Sequence, residues 1–126
     1  MAAQPDLWGE IVPAQVRTPV AVMREQAALL GRKTKNLVEA KVATSVLLGG
    51  FTAHFNLVVP ALGNYTYELF KVRHGVEPYP VEVPLEIPHP ALSLKSEEEF
   101  VSWLQQTLSS PKTKRIVSNL LAQATS

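Results

Sequence analysis

Residues 36–59 constrain the fold of this chain more than any other stretch. From Asn36 to Leu48 the side chains alternate, with Val38, Ala40, Val42, Thr44 and Val46 on one side. From Phe51 to Val59 they alternate again, with Phe51, Ala53, Phe55, Leu57 and Val59 on one side. A period of two marks a half-buried strand. Gly49-Gly50, between the runs, suits a two-residue turn with positive φ. A turn there sets Val46 opposite Ala53, Thr44 opposite Phe55, Val42 opposite Leu57 and Ala40 opposite Val59, all on one face. A slip by one residue would turn that set to the opposite side, so the register is well specified. The reverse face pairs Ser45 with His54 and Ala43 with Asn56.

The ladder has a natural continuation. Pro60 cannot donate to it and closes the second strand. Gly63-Asn64 is the next turn signal, and Asn64–His74 resumes strand-forming residues. A two-residue turn here places Phe70 against Leu57, Val72 against Phe55, Lys71 by Asn56 and Arg73 by His54. Residues 76–92 then hold five of the ten prolines. Val81, Val83, Leu85 and Ile87 alternate through this segment, but Pro84 restricts it to a sheet edge or an extended run.

Helices flank the strands. Thr18-Pro19 is a capped start. Val20, Met23, Ala27 and Leu30 follow at helical spacing, and Gly31 is the expected stop, which predicts a helix over about residues 19–30. Ser96-Glu97-Glu98-Glu99 is a capping box ahead of the stripe Phe100, Trp103, Leu104, Thr107 and Leu108. The three glutamates are explained by that start and need no metal or acid–base role. Ser110-Pro111 opens a last helix with Ile116, Val117, Leu120, Leu121 and Ala124 on its apolar face.

These elements predict an α+β fold: an N-terminal helix, a three-stranded antiparallel meander with an extended fourth segment at its edge, and two C-terminal helices. The division is an N-terminal arm, residues 1–17, and a single α+β domain, residues 18–126. Leu7, Trp8, Ile11 and Val12 make the arm apolar. The expectation is that it lays Trp8 on its own domain; the alternative is that it reaches a second subunit.

Composition narrows the function classes. With 126 residues, 46% of them hydrophobic, the chain can bury a core. It has no cysteine, which removes disulfides, thiol catalysis and cysteine-ligated metals together and suits a reducing cytoplasm. No apolar run approaches the ~20 residues of a membrane span, and the first ten residues do not read as a secretion signal. Net charge is only +1. The charges are uneven, however. Arg32, Lys33, Lys35, Lys41, Lys71 and Arg73 face only Glu39 and Glu68 across residues 32–74, whereas residues 77–99 hold six glutamates against Lys95.

No catalytic set is legible. His54 and His74 fall on opposite sheet faces, His89 lies in a proline-rich loop, and no His-x-x-x-His spacing exists, so no metal is expected. No phosphate loop or nucleophile elbow occurs, and strand parity places Glu39 and Glu68 on opposite faces. No cofactor is expected. What remains is the polar sheet face: Ser45, His54, Asn56, Lys71 and Arg73, with Lys41 nearby. Cross-strand neighbours lie roughly 5 Å apart, so these could gather around a phosphate, a carboxylate or an acidic peptide. The plain alternative is a solvated outer face. Toward the Gly63-Asn64 turn the same face should carry Val58, Leu62, Tyr65, Tyr67 and Leu69, an apolar patch that wants a cover.

The expected function is therefore a small, soluble, non-enzymatic interaction protein that uses one sheet face to meet a protein partner or a second copy, away from membranes. The alternative is a ligand-binding protein or enzyme built on His54, Asn56, Lys71 and Arg73. Nucleic-acid binding would rest on Arg32, Lys33, Lys35, Lys112, Lys114 and Arg115, but these clusters lack interleaved aromatics.

Overall fold

The structure, a computed structural model, describes residues 4–126. Its elements run α1 (Pro19–Lys33), β1 (Glu39–Leu47), β2 (Gly50–Val59), a 3-10 turn at Pro60–Leu62, β3 (Tyr65–His74), β4 (Val81–Val83), β5 (Leu92–Leu94), α2 (Glu97–Leu108) and α3 (Pro111–Ala124). The strands form one antiparallel sheet in the order β1-β2-β3-β4-β5. The α+β architecture and the helix caps are as expected: Thr18, Ser96 and Ser110 each accept a main-chain N–H at the three helix starts.

α1 ends differently from its sequence signal. It continues through Gly31 to Lys33. The reversal falls on Lys35 and Asn36, both at positive φ. Asn36 N–H donates to Gly31 C=O at 2.8 Å, and Lys35 N–H donates to Arg32 C=O at 3.5 Å. This is a Schellman-type stop with Lys35 in the left-handed position usually given to glycine. Thr34, at the end of the helix, is buried. Its hydroxyl donates to Val38 C=O at 2.7 Å and accepts from Val38 N–H at 3.2 Å. Helix end and sheet entry are thereby joined through one side chain.

The hairpin register also differs. Leu48 and Gly49, at φ 52° and 77°, are the turn residues, and Gly50 already pairs with Leu47. Ala40 therefore faces Leu57, Val42 faces Phe55, Thr44 faces Ala53 and Val46 faces Phe51. The offset from the expected pairing is two residues, and an even offset preserves the faces. Gly50 has its own reason to sit in the ladder. A Cβ there would come within 3.3 Å of His74 C=O on β3, so the residue suits a close strand approach.

The β2–β3 ladder carries the larger correction. Phe55 pairs with Phe70, but the next rung pairs Asn56 with Glu68, leaving Leu69 as a bulge. Below the bulge the alternation of β3 is inverted. Tyr67 pairs with Leu57 and Tyr65 with Val59, on the face that the helices cover. The expected pairs Phe70–Leu57 and Val72–Phe55 are replaced by Phe70–Phe55 and Val72–Ala53. β4 stops before Pro84, and β5 adds a short strand that the sequence reading did not anticipate.

All three helices pack on one side of the sheet. The core joins Met23 and Ala27 of α1, Phe55, Leu57 and Val59 of β2, Val72, Val81, Val83 and Leu94 from the later strands, Phe100 and Leu104 of α2, and Leu120 of α3. Phe70 stacks on Phe55 with ring centroids 5.1 Å apart and meets Trp103 edge-on at 5.0 Å. The helical cover ends before the hairpin tip, so Val46, Leu47, Leu48 and Phe51 stay exposed.

Residues 4–17 form an irregular arm that is exposed throughout. Trp8 is 81% exposed, and Leu7, Ile11 and Val12 are likewise in water. The expected packing of Trp8 on its own domain does not occur. Polar contacts fix the arm at its base. Tyr79 O–H donates to Arg17 C=O at 2.8 Å, Arg17 N–H donates to Glu97 Oε1 at 3.3 Å, and the Arg17 guanidinium meets Glu25 and Glu97. Residues 1–3 of the arm lie outside the described residues.

Candidate functional site

The open face of the sheet can be read row by row from the register. Ser45, Thr52, Arg73, Glu82 and Ser93 form one row. Ala43, His54 and Lys71 form the next, then Lys41, Asn56 and Glu68, then Glu39, Val58 and Thr66. The residues singled out in the sequence do share this face, but with changed neighbours. Lys71 faces His54 and not Asn56; Arg73 faces Thr52 and not His54; Ser45 faces Thr52.

The bulge also brings Glu68 onto this face, where its carboxylate meets His54 Nδ1. Glu39 and Glu68, expected on opposite faces, share it too. They stand on β1 and β3 with β2 between and in adjacent rows, roughly 12 Å apart at ordinary strand spacing and rise, which is too far to share a proton. Three cations (Lys41, Lys71, Arg73) are thus interleaved with three carboxylates (Glu39, Glu68, Glu82). An expected basic surface is instead mixed in charge and solvated.

The expected apolar patch is divided by the same bulge. Only Val58 remains on the open face, where it is buried. Tyr67 and Leu69 pack against the core from the helix side. Tyr65 follows Tyr67 to that side and is partly exposed at its margin, as is Leu62 in the 3-10 turn. Among the described residues no group of three or more His, Asp or Glu side chains could hold a metal ion. No helix among them is long and apolar enough to cross a membrane.

Two concavities stand out, and neither includes Ser45, His54, Asn56 or Lys71. One, about 600 Å³, lies beside the hairpin tip, lined by Arg73 and by the carboxylates Glu77 and Glu82. The other, about 640 Å³, is an apolar groove on the helix side. Its floor is Phe55 and Leu57 of β2 with the bulge residue Leu69. Val22, Leu29 and Leu30 of α1 form one wall; Val101, Leu104 and Leu108 of α2, with Val117 of α3, form the other. Its size is within the range of about 300–1,000 Å³ usual for binding sites.

The groove follows from how the helices are set. α1 lies along β1, whereas α2 reaches β3 through Trp103 and the far edge of the sheet through β5. The two helices diverge over β2, and Phe55 and Leu57 of its inner face are buried at the bottom of the gap between them. Leu29 and Val101, 40% and 38% exposed, are the apolar lips. Lys33, at the C-terminal end of α1, and Lys114, at the start of α3, border the groove as well. One lysine from each of the two basic clusters read separately from the sequence therefore borders the same groove. Neither lysine makes an ion pair among the described residues. Arg17 borders it too, but its guanidinium is engaged by Glu25 and Glu97. Beside that anchor the Tyr79 hydroxyl is pushed up to about 12, by burial first and the Glu97 carboxylate second, with Arg17 opposing.

The sequence reading did not find this groove. The available signal was apolar width: Leu29 beside Leu30, and Val101 beside Phe100, widen each helix's apolar stripe past what one core contact needs. No protein-family model, no curated protein and no solved structure matches this chain.

Proposed function

We propose that this chain is a non-enzymatic interaction module that holds an apolar, acidic polypeptide segment in the groove between α1 and the α2–α3 pair. The observation that carries the reading is the groove itself, a concavity with exposed aliphatic lips, Leu29 and Val101, over a buried floor of Phe55 and Leu57, bordered by two lysines that make no ion pair among the described residues. Exposed apolar side chains that rim a concavity favour an occupant. Aliphatic walls favour the apolar face of a peptide over nucleic-acid bases, which stack on aromatic side chains. Lys33 and Lys114 supply the preference for carboxylates. The absence of cysteine suits work in the cytoplasm.

The open sheet face supports a ligand site less well. Glu68 and Glu82 offset its cations, and neither of the two concavities includes His54, Asn56 or Lys71. The test is amide shift mapping by NMR with a panel of acidic amphipathic peptides, each paired with a version whose apolar residues are serine. The reading expects shifts at Leu29, Val101 and Leu108 with the apolar peptides only. Shifts centred on His54, Asn56 and Lys71, or none with any peptide, would overturn it.

A further inference from the structure

Within this same fold lies a segment with the chemistry that the groove selects. Residues 4–16 carry Leu7, Trp8, Ile11 and Val12, all in water, together with two carboxylates, Asp6 and Glu10, and no cation. The apolar residues sit at positions i, i+1, i+4 and i+5, which share one face at helical spacing. We propose that the groove takes the arm of a second copy of this chain, and that two copies exchange arms reciprocally. This rests on the reading of the groove as a site for an apolar segment, and it names the partner.

Charge and the arm's exposure both point to the second copy. Asp6 and Glu10 complement Lys33 and Lys114, which border the groove at its end remote from Arg17. On its own body the arm leaves the base at Arg17 into water, with Leu7, Trp8, Ile11 and Val12 exposed and none of them lining the chain's own groove. A second copy's arm enters free of the tether at Arg17, and a reciprocal exchange gives the closed two-fold arrangement usual for homodimers.

The test uses two full-length variants, because the substituted arm residues are exposed on their own body and Leu29 is a lip residue. The arm variant is Trp8→Asp with Ile11→Asp; the groove variant is Leu29→Glu. In analytical ultracentrifugation the unaltered chain is expected to be dimeric, and each variant alone to dissociate at least tenfold more readily. An equimolar mixture of the two variants retains one sound arm and one sound groove. It is expected to form a heterodimer, while circular dichroism shows both variants folded. A monomeric parent chain, or variants that dimerise as well as the parent, would overturn the exchange. So would two folded variants that fail to complement each other. If acidic apolar peptides still shift Leu29 and Val101 while the parent chain is monomeric, the groove stands and only the second copy is refuted. If no peptide binds either, both readings fail.

Discussion

Replacing Leu48 by Asn tests the hairpin register in the sign of its effect. Leu48 is 97% exposed and sits at φ 52°, the first of two consecutive positive-φ residues in the turn. A branched aliphatic residue in the left-handed region costs about 1–2 kcal/mol, and here it recovers nothing through packing. Asn tolerates that region, and Asn-Gly is the preferred pair for a two-residue hairpin turn of this kind. Leu48→Asn should therefore stabilise the protein by about 0.5–1 kcal/mol, roughly 2–5 °C in Tm for a domain of this size. Thermal unfolding followed by circular dichroism, with a urea titration to confirm an unchanged m-value, is sufficient to measure it. Had the turn fallen on Gly49-Gly50, Leu48 would be an extended strand residue. Asn is poorly suited to strands, on a scale that spans about 1 kcal/mol. A lower Tm would thus refute the observed pairing of Leu47 with Gly50 and restore the register offset by two.

Further expectations concern the anchors and the core. Tyr79 is neutral in the folded state up to about pH 12, against about 10 when unfolded. A raised folded-state value means that its contribution is fully present below pH 10 and is lost as pH rises through 12. Tyr79→Phe should remove that alkaline loss in pH-dependent urea titrations; an unchanged alkaline slope would contradict the account of Tyr79. Thr34→Val deletes the hydroxyl that serves both polar groups of Val38 and leaves them buried, at an expected cost of about 1–3 kcal/mol by chemical denaturation. Phe55→Ala empties the stack on Phe70 and should cost about 3–5 kcal/mol in the same assay, a loss below about 1 kcal/mol being incompatible with the buried pair.

The elements of the fold were legible because their local signals agree. Thr18-Pro19, the Ser96–Glu99 box and Ser110-Pro111 mark helix starts by chemistry that tertiary packing did not override. The faces of β1 and β2 were legible as well, since a two-residue offset preserves parity. The offset arose because Gly50 was read as a turn residue, whereas its lack of a Cβ is used to bring β3 close. The bulge left a trace that a single period does not capture. Tyr65, Tyr67 and Leu69 form an odd-numbered apolar series, Phe70 and Val72 an even-numbered one, and the change of phase falls at the adjacent pair Leu69-Phe70. Reading one period through that pair put the tyrosines on the wrong face and kept Glu68 away from His54. The groove could not be read at all, because it depends on the divergence of two helices far apart in sequence. The arm was legible as an apolar segment, but its failure to pack on its own body was not.

The central claim is that an apolar, acidic segment occupies the groove between α1 and α2, and that the segment is a second copy's arm. Because the chain has no cysteine, Gln4→Cys gives one labelling site in the arm. Nitroxide-labelled protein without isotope, mixed with unlabelled-arm protein enriched in ¹⁵N, reports only contacts between copies. The account predicts paramagnetic broadening at the amides around Leu29, Lys33 and Leu108, with His54, Asn56 and Lys71 unaffected. Broadening confined to the open sheet face, or none at concentrations where a dimer forms, would contradict it.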